Sequence, residues 1–139
     1  MLSIFQWFKN HKKIAALCAS FWAAIIFAAC LIPGRDVPSL SIFQYDKLVH
    51  FGIFGILAFQ ILYLFKNPRP FPHGISIWIL VTIYGYLIEF LQGSGLTQGR
   101  SYDGLDALAD SIGAGIGIGC FLIMEYFSSR RKQQTRKNF

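Results

Sequence analysis

Four long apolar runs, almost free of charge, dominate the hydrophobic pattern of this 139-residue chain. They predict helices at about residues 14–32, 48–65, 75–91 and 105–124. Each run is close to the length that crosses a hydrocarbon core of about 30 Å. The polar segments between the runs are short, and several contain Pro and Gly, which cannot continue a helix. The pattern predicts an all-α integral membrane protein, an antiparallel bundle of four transmembrane helices.

The composition supports the same class of protein. Hydrophobic residues make up 54% of the chain and charged residues only 14%, against about a quarter in soluble domains. The net charge of +6 does not indicate nucleic-acid binding, because Lys and Arg are concentrated at the chain ends beside the apolar runs. The first apolar run is longer than the hydrophobic region of a signal peptide, so we expect an uncleaved helix.

The distribution of basic residues predicts the orientation in the membrane. Residues 1–13, the turn at 66–74 and the tail at 125–139 are basic, whereas the other two loops contain three Lys and Arg residues between them. The positive-inside rule therefore places both termini in the cytoplasm, an N-in/C-in arrangement. We expect a cytoplasmic N-terminal segment, a transmembrane domain over 14–124 and a flexible cytoplasmic tail.

Polar residues enter the apolar runs from one side of the membrane only. His50, Glu89 and Asp110 each lie about one helical turn inside a run, on the side opposite the predicted cytoplasmic face. Ionisable residues at such positions are costly and mark functional sites by default. This predicts an outward-facing polar pocket for a ligand. The other candidate ligand-binding residues at that side are Asp46, Gln92, Arg100, Asp103 and Asp106.

Glu89 is the strongest single candidate, because a carboxylate in an apolar helix must be paired, hydrated or protonated. His50 and Asp106 are the other candidates for catalysis. Together with Asp110, these residues offer three oxygens and one nitrogen, a ligand set that would suit Zn or Mn. They come from three segments without a compact metal-binding signature. We therefore favour a hydrogen-bonded charge network and expect no metal or cofactor.

The remaining charged candidates have structural alternatives. Arg100 either neutralises Asp103 or Asp106 as a clamp, or holds a phosphate or carboxylate of a ligand. Asp103 is favoured as an N-cap of the fourth helix, since both capping and the helix dipole favour Asp there. The same interpretation applies to Asp46 at the second helix.

Glycines recur at every second position in the fourth run, at Gly113, Gly115, Gly117 and Gly119. Pairs of small residues four apart let helix backbones approach closely in a membrane. We expect these glycines to pack helices together, either within one chain or in a homo-oligomer through this helix.

Several spaced motifs occur in order: Asp46-Lys47-x-x-His50, Glu89-x-x-Gln92, Arg100, Asp103-x-x-Asp106 and the Gly-rich run. This set resembles the VanZ-like family of small bacterial membrane proteins, over about residues 36–124. The resemblance implies a multi-pass protein of the bacterial cytoplasmic (inner) membrane and a context of resistance to teicoplanin, a glycopeptide antibiotic. The chain departs from the family at Asp110, where members often carry Asn.

The leading hypothesis is a cell-envelope protein, embedded in the lipid bilayer, whose polar pocket binds an amphiphilic ligand. A lipid-linked wall precursor or a lipoglycopeptide would fit that description. The alternative is a membrane hydrolase or transferase acting on a lipid-linked substrate at the outer leaflet. In that enzyme Glu89 or Asp106 would be the general base, with His50 as the acid or a metal ligand. A proton-coupled carrier fits less well, because the polar residues cluster on one side of the membrane.

Overall fold

The computed structural model describes residues 2–33, 46–65, 68 and 70–137, and the regular secondary structure in these ranges is all helical. The helices are α1 (Leu2–Asn10), α2 (Lys12–Cys30), α3 (Asp46–Ile61), α4 (Ile75–Gly93) and α5 (Gly104–Lys137). A 3₁₀ turn follows α3, and a π-helical turn containing two prolines leads into α4. No strand occurs within the described ranges.

Four helices are long and apolar enough to cross a membrane. The spans are Lys12–Cys30, Lys47–Leu64, Phe71–Gly93 and Gly104–Arg131. They leave many large apolar side chains on the outside of the bundle, where a soluble protein would expose few. The prediction of an all-α protein with four membrane-length helices is confirmed.

The chain ends contain more helix than the apolar pattern predicts. The N-terminal segment forms α1, and its Phe5 is only 1% exposed because its ring packs against Tyr63 and Phe121. Helix α5 continues through Lys137, beyond its predicted end at residue 124, over residues expected to form a flexible tail. The basic and amide side chains of this extension are good helix formers.

Contacts between α1 and α5 help to explain the extension. Lys9 forms a salt bridge with Glu125 at 2.5 Å, and Gln6 donates a hydrogen bond to Ser128. Both contacts join residues more than a hundred positions apart, so the local hydrophobic pattern cannot reveal them. Helix α1 thus packs against the start of the segment that the sequence predicted to be a flexible tail.

Helices α3 and α5 are in backbone contact. A Cβ atom at Gly117 would lie 2.0 Å from the carbonyl oxygen of Gly55, and one at Gly113 would lie 2.1 Å from that of Phe51. Only glycine allows this approach, so the predicted packing role is fulfilled within the chain at these two positions. A homo-oligomer through α5 stays a prediction.

Side-chain donors connect α2 to the other helices. The Trp22 Nε1–H donates to the carbonyl oxygen of Ile53 at 3.0 Å, and the Tyr84 hydroxyl donates to that of Ala23 at 2.7 Å. Polar groups inside a bilayer need such partners, because lipid tails offer none. These bonds fix α2 against α3 and α4.

The α3–α5 contact yields a stability prediction. Gly117→Ala should destabilise the bundle by about 1–3 kcal/mol, because its new methyl group would overlap the Gly55 carbonyl and force the helices apart. Gly119→Ala is the matched control on the same helix, since a Cβ there meets nothing within 4 Å. Thermal unfolding of both purified variants in one detergent measures the difference. Equal stability of the two variants would contradict this account of the interface.

Candidate functional site

The structure brings together four of the candidate residues, from three different helices. His50 lies near the start of α3, Glu89 near the end of α4, and Asp106 and Asp110 in the first turns of α5. Their exposed fractions are 4%, 0%, 5% and 0%, respectively. We call these four residues the polar cluster. The helix ends that the sequence predicted to share a membrane depth do meet, although the roles of the residues stay predictions.

The centre of the polar cluster is a contact between a histidine and two carboxylates. His50 Nδ1 lies 3.0 Å from Asp110 Oδ1 and 3.9 Å from Glu89 Oε1. Asp110 fits there because α4 carries a glycine opposite it: a Cβ atom at Gly85 would lie 2.4 Å from Asp110 Oδ2. The aspartate therefore reaches His50 across the bare backbone of α4.

Glu89 connects the end of α4 to the start of α5. Its Oε2 accepts a hydrogen bond from the backbone N–H of Asp103 at 3.2 Å. Its Oε1 has no hydrogen-bond partner among the described residues. Asp103 itself accepts a hydrogen bond from the backbone N–H of Leu105 at 2.8 Å, which is the N-cap contact expected for this residue.

Lys47 contacts the acids of the site, although the sequence analysis did not include it among the candidate site residues. Its Nζ lies 2.7 Å from Asp103 Oδ2 and 3.0 Å from Asp106 Oδ1, so it bridges α3 to α5. Its signal in the sequence is its spacing: Lys47 lies three residues before His50, on the same face of α3. The hydrogen bond from Lys47 lowers the pKa of Asp103 below its ordinary value.

Gln92 and Arg100 lie outside the polar cluster. Gln92 donates to the carbonyl oxygen of Cys30 at 2.6 Å, and the Arg100 Nε–H donates to that of Ile32 at 3.4 Å. Both therefore contact the end of α2. The role of clamp for the acids, considered for Arg100, is filled by Lys47 among the described contacts. Asp46 begins α3, but its side chain lies outside the described part of the structure.

Three members of the polar cluster could hold a metal ion. His50, Glu89 and Asp106 each offer one ligand atom, and these atoms all lie within 4.8 Å of one another. The same residues could relay a proton, since an imidazole in contact with carboxylates can exchange one. The geometry thus permits both cation binding and acid–base chemistry.

The model of the VanZ/LLP1 family matches residues 2–125, most of the chain. The chain belongs to this family. No curated protein and no solved structure matches the chain. Family membership and the four apolar helices together make this a VanZ-like, multi-pass membrane protein. Antibiotic resistance is a general association of the family.

An apolar groove of about 540 Å³ lies beside the polar cluster of this VanZ/LLP1 protein. Its walls come from α1, α2, α3 and α5, and it ends at Phe51 and Gly52 on α3 and at Gly113 on α5. Phe51 directly follows His50, and Gly113 lies three residues after Asp110. The groove therefore begins within one helical turn of the polar cluster.

The Lys47 bridge makes a prediction for this VanZ/LLP1 protein. Lys47→Met should lower the unfolding temperature, because Asp106 stays buried and loses its cationic partner. In an Asp106→Asn background the same substitution should cost clearly less, since the carboxylate is then absent. Thermal unfolding of the four proteins in detergent gives the coupling between the residues. An equal loss in both backgrounds would show that Lys47 does not act through Asp106.

The same bridge also predicts a dependence on pH. The folded state lowers the pKa of Asp103 from its ordinary value of 3.8, so the bridge stabilises the protein above that value. This stability is lost as the pH falls through the lower, folded-state pKa. Lys47→Met should reduce the loss of stability that occurs as the pH falls. Unfolding temperatures of wild type and variant, measured across the acidic range, test this.

Proposed function

We propose that this VanZ/LLP1 protein is a cell-envelope protein of the bacterial cytoplasmic membrane that binds an amphiphilic envelope ligand. The polar head of the ligand would contact the polar cluster, and its apolar tail would enter the apolar groove. The observation that carries the proposal is the adjacency of these two features, which begin within one helical turn of each other on α3 and α5.

The dimensions of the groove suit an extended apolar chain. Its lining runs from Phe51 on α3 to Tyr63 in the 3₁₀ turn that follows, a length of about 18 Å at 1.5 Å per residue. Its volume of about 540 Å³ lies within the usual range of ligand sites. Glycines make the room, and at Gly52 a Cβ atom would meet nothing within 4 Å. Gln60, also in the lining, has a side-chain oxygen with no partner among the described residues.

The charges at the cluster favour a particular kind of head group. Glu89, Asp106 and Asp110 provide three carboxylates, and Lys47 contacts one of them, Asp106. A head rich in hydroxyl or amino groups would donate hydrogen bonds to these carboxylates. Lipid-linked wall precursors and lipoglycopeptides both have heads of this kind. Arg100, in the segment between α4 and α5, would be available to an anionic group on the same head.

We also propose the antiparallel, N-in/C-in orientation, which places the polar cluster at the outer face. It is supported by the basic residues of the two chain ends and by contacts that join the ends of α2 and α4, such as Gln92 with Cys30. Reporter fusions at each terminus and at residue 97 test it. Both termini should report cytoplasmic, and Thr97 extracytoplasmic. A cytoplasmic signal at Thr97 would overturn the outward-facing pocket.

Filling the groove tests the binding proposal. Gly52→Leu should weaken binding of fluorescent teicoplanin, a lipoglycopeptide, by about tenfold, because the new side chain occupies space meant for the tail. Anisotropy titrations of the protein in nanodiscs measure the affinity. Gly119→Leu is the matched control, since its Cβ is equally open and it does not line the groove.

Two comparisons make the result specific. Teicoplanin without its acyl chain should bind wild type at least tenfold more weakly, and a lipid-linked wall precursor is the second probe in the same assay. The proposal fails if wild type binds neither amphiphile, or if Gly52→Leu and Gly119→Leu weaken binding equally.

A further inference from the structure

We propose that the polar cluster is a divalent-cation site in which His50, Glu89 and Asp106 bind Zn²⁺ or Mn²⁺. His50 would supply one ring nitrogen, and each acid would supply one carboxylate oxygen. This inference replaces the expectation of a metal-free charge network that the sequence alone favoured. It does not depend on any occupant of the apolar groove.

The spacing of the ligand atoms fits an ion after a small adjustment. Zn²⁺ binds N and O ligands at about 2.0–2.2 Å, which places tetrahedral ligand atoms about 3.4 Å apart. The three ligand atoms here lie within 4.8 Å of one another, and His50 Nδ1 is already 3.9 Å from Glu89 Oε1. Rotations of the three side chains would close the remaining distance.

The second observation is the buried oxygen of Glu89. This residue has an exposed fraction of 0%, yet its Oε1 has no hydrogen-bond partner among the described residues. A buried carboxylate oxygen without a donor is costly, and a bound cation would satisfy it. The backbone N–H of Asp103 holds the other oxygen at 3.2 Å, which fixes the direction of the carboxylate.

The charge of the site also calls for a cation. Three buried carboxylates, those of Glu89, Asp106 and Asp110, converge on His50. Lys47, whose side chain is 48% exposed, contacts Asp106 and is shared with the carboxylate of Asp103. With His50 neutral, these four carboxylates and one lysine sum to −3, and a divalent ion would reduce the excess negative charge to −1. Like charges held together in a low-dielectric interior otherwise repel strongly.

Both acidic ligands have a neighbour that would orient them. The Asp103 N–H holds Glu89 at 3.2 Å, and Lys47 contacts Asp106 at 3.0 Å. Such outer partners are a regular feature of metal sites, where they set the orientation and basicity of the ligands. Three protein ligands leave at least one coordination position for water or a ligand group.

Metal titration of the full-length protein tests the proposal. The protein is stripped with a chelator in nanodiscs and then titrated separately with Zn²⁺ and Mn²⁺, with bound metal measured by elemental analysis. We expect one ion per chain for at least one of these metals. Glu89→Gln and Asp106→Asn should each weaken binding at least tenfold. Glu125→Gln is the matched control, because it removes a carboxylate that pairs with Lys9 instead.

Thermal unfolding separates a lost ligand from a lost fold. Without metal, Glu89→Gln should be at least as stable as wild type, because it removes one of the repelling charges. The added ion should raise the unfolding temperature of wild type and of Glu125→Gln, but not that of Glu89→Gln. In Mn²⁺-loaded wild type, coupling to a histidine nitrogen in pulsed electron paramagnetic resonance should disappear in His50→Gln.

Two results would overturn the site. One is folded wild type that binds neither ion with micromolar affinity. The other is binding that survives both Glu89→Gln and Asp106→Asn, which would place the ion elsewhere, for instance on the cysteines. Metal binding with no amphiphile binding would reject the proposed function alone, and the reverse would reject this inference alone.

Discussion

The backbone contact between α3 and α5 is the constraint on which the other features depend. Lipid tails are as apolar as the helices, so association in a membrane relies on close packing. The glycines at 113 and 117 allow that packing against the carbonyls of Phe51 and Gly55. One turn away, the same approach brings Asp110 to His50 at 3.0 Å. The same two glycines also lie in the wall of the apolar groove.

Stability does not explain the polar cluster that this contact assembles. A set of buried acids costs free energy unless every charge is compensated, and well-packed apolar residues would serve a purely structural bundle at least as well. The chain nevertheless provides a donor for Asp106 in Lys47, and one for Glu89 Oε2 in the N–H of Asp103. These contacts compensate most of the buried polar atoms but leave Glu89 Oε1 without a hydrogen bond among the described residues. Such an exception is typical of a site built for a ligand.

The sequence predicts the features that depend on local hydrophobic periodicity. It does not predict the features that depend on contacts between residues far apart in the chain. The apolar runs predict the four spans. The equal depth of His50 and Glu89 in those runs predicts that the two side chains lie close together. Lys47, and not Arg100, contacts the acids. This pairing depends on how the segment before α5 folds, and hydrophobic periodicity carries no information about that segment. The extension of α5 likewise depends on α1, through the pairing of Lys9 with Glu125.

A bound ion would also join the two halves of the proposed site. One of its ligands, His50, directly precedes Phe51 at the end of the groove, so the head of a ligand whose tail fills the groove would lie close to the ion. That arrangement gives the hydrolase or transferase alternative a concrete form, because a metal can activate water beside a polarised head group. An Asn in place of Asp110 would keep a polar contact to His50 and remove one negative charge. The aspartate of this chain would therefore strengthen the attraction of the proposed site for a cation.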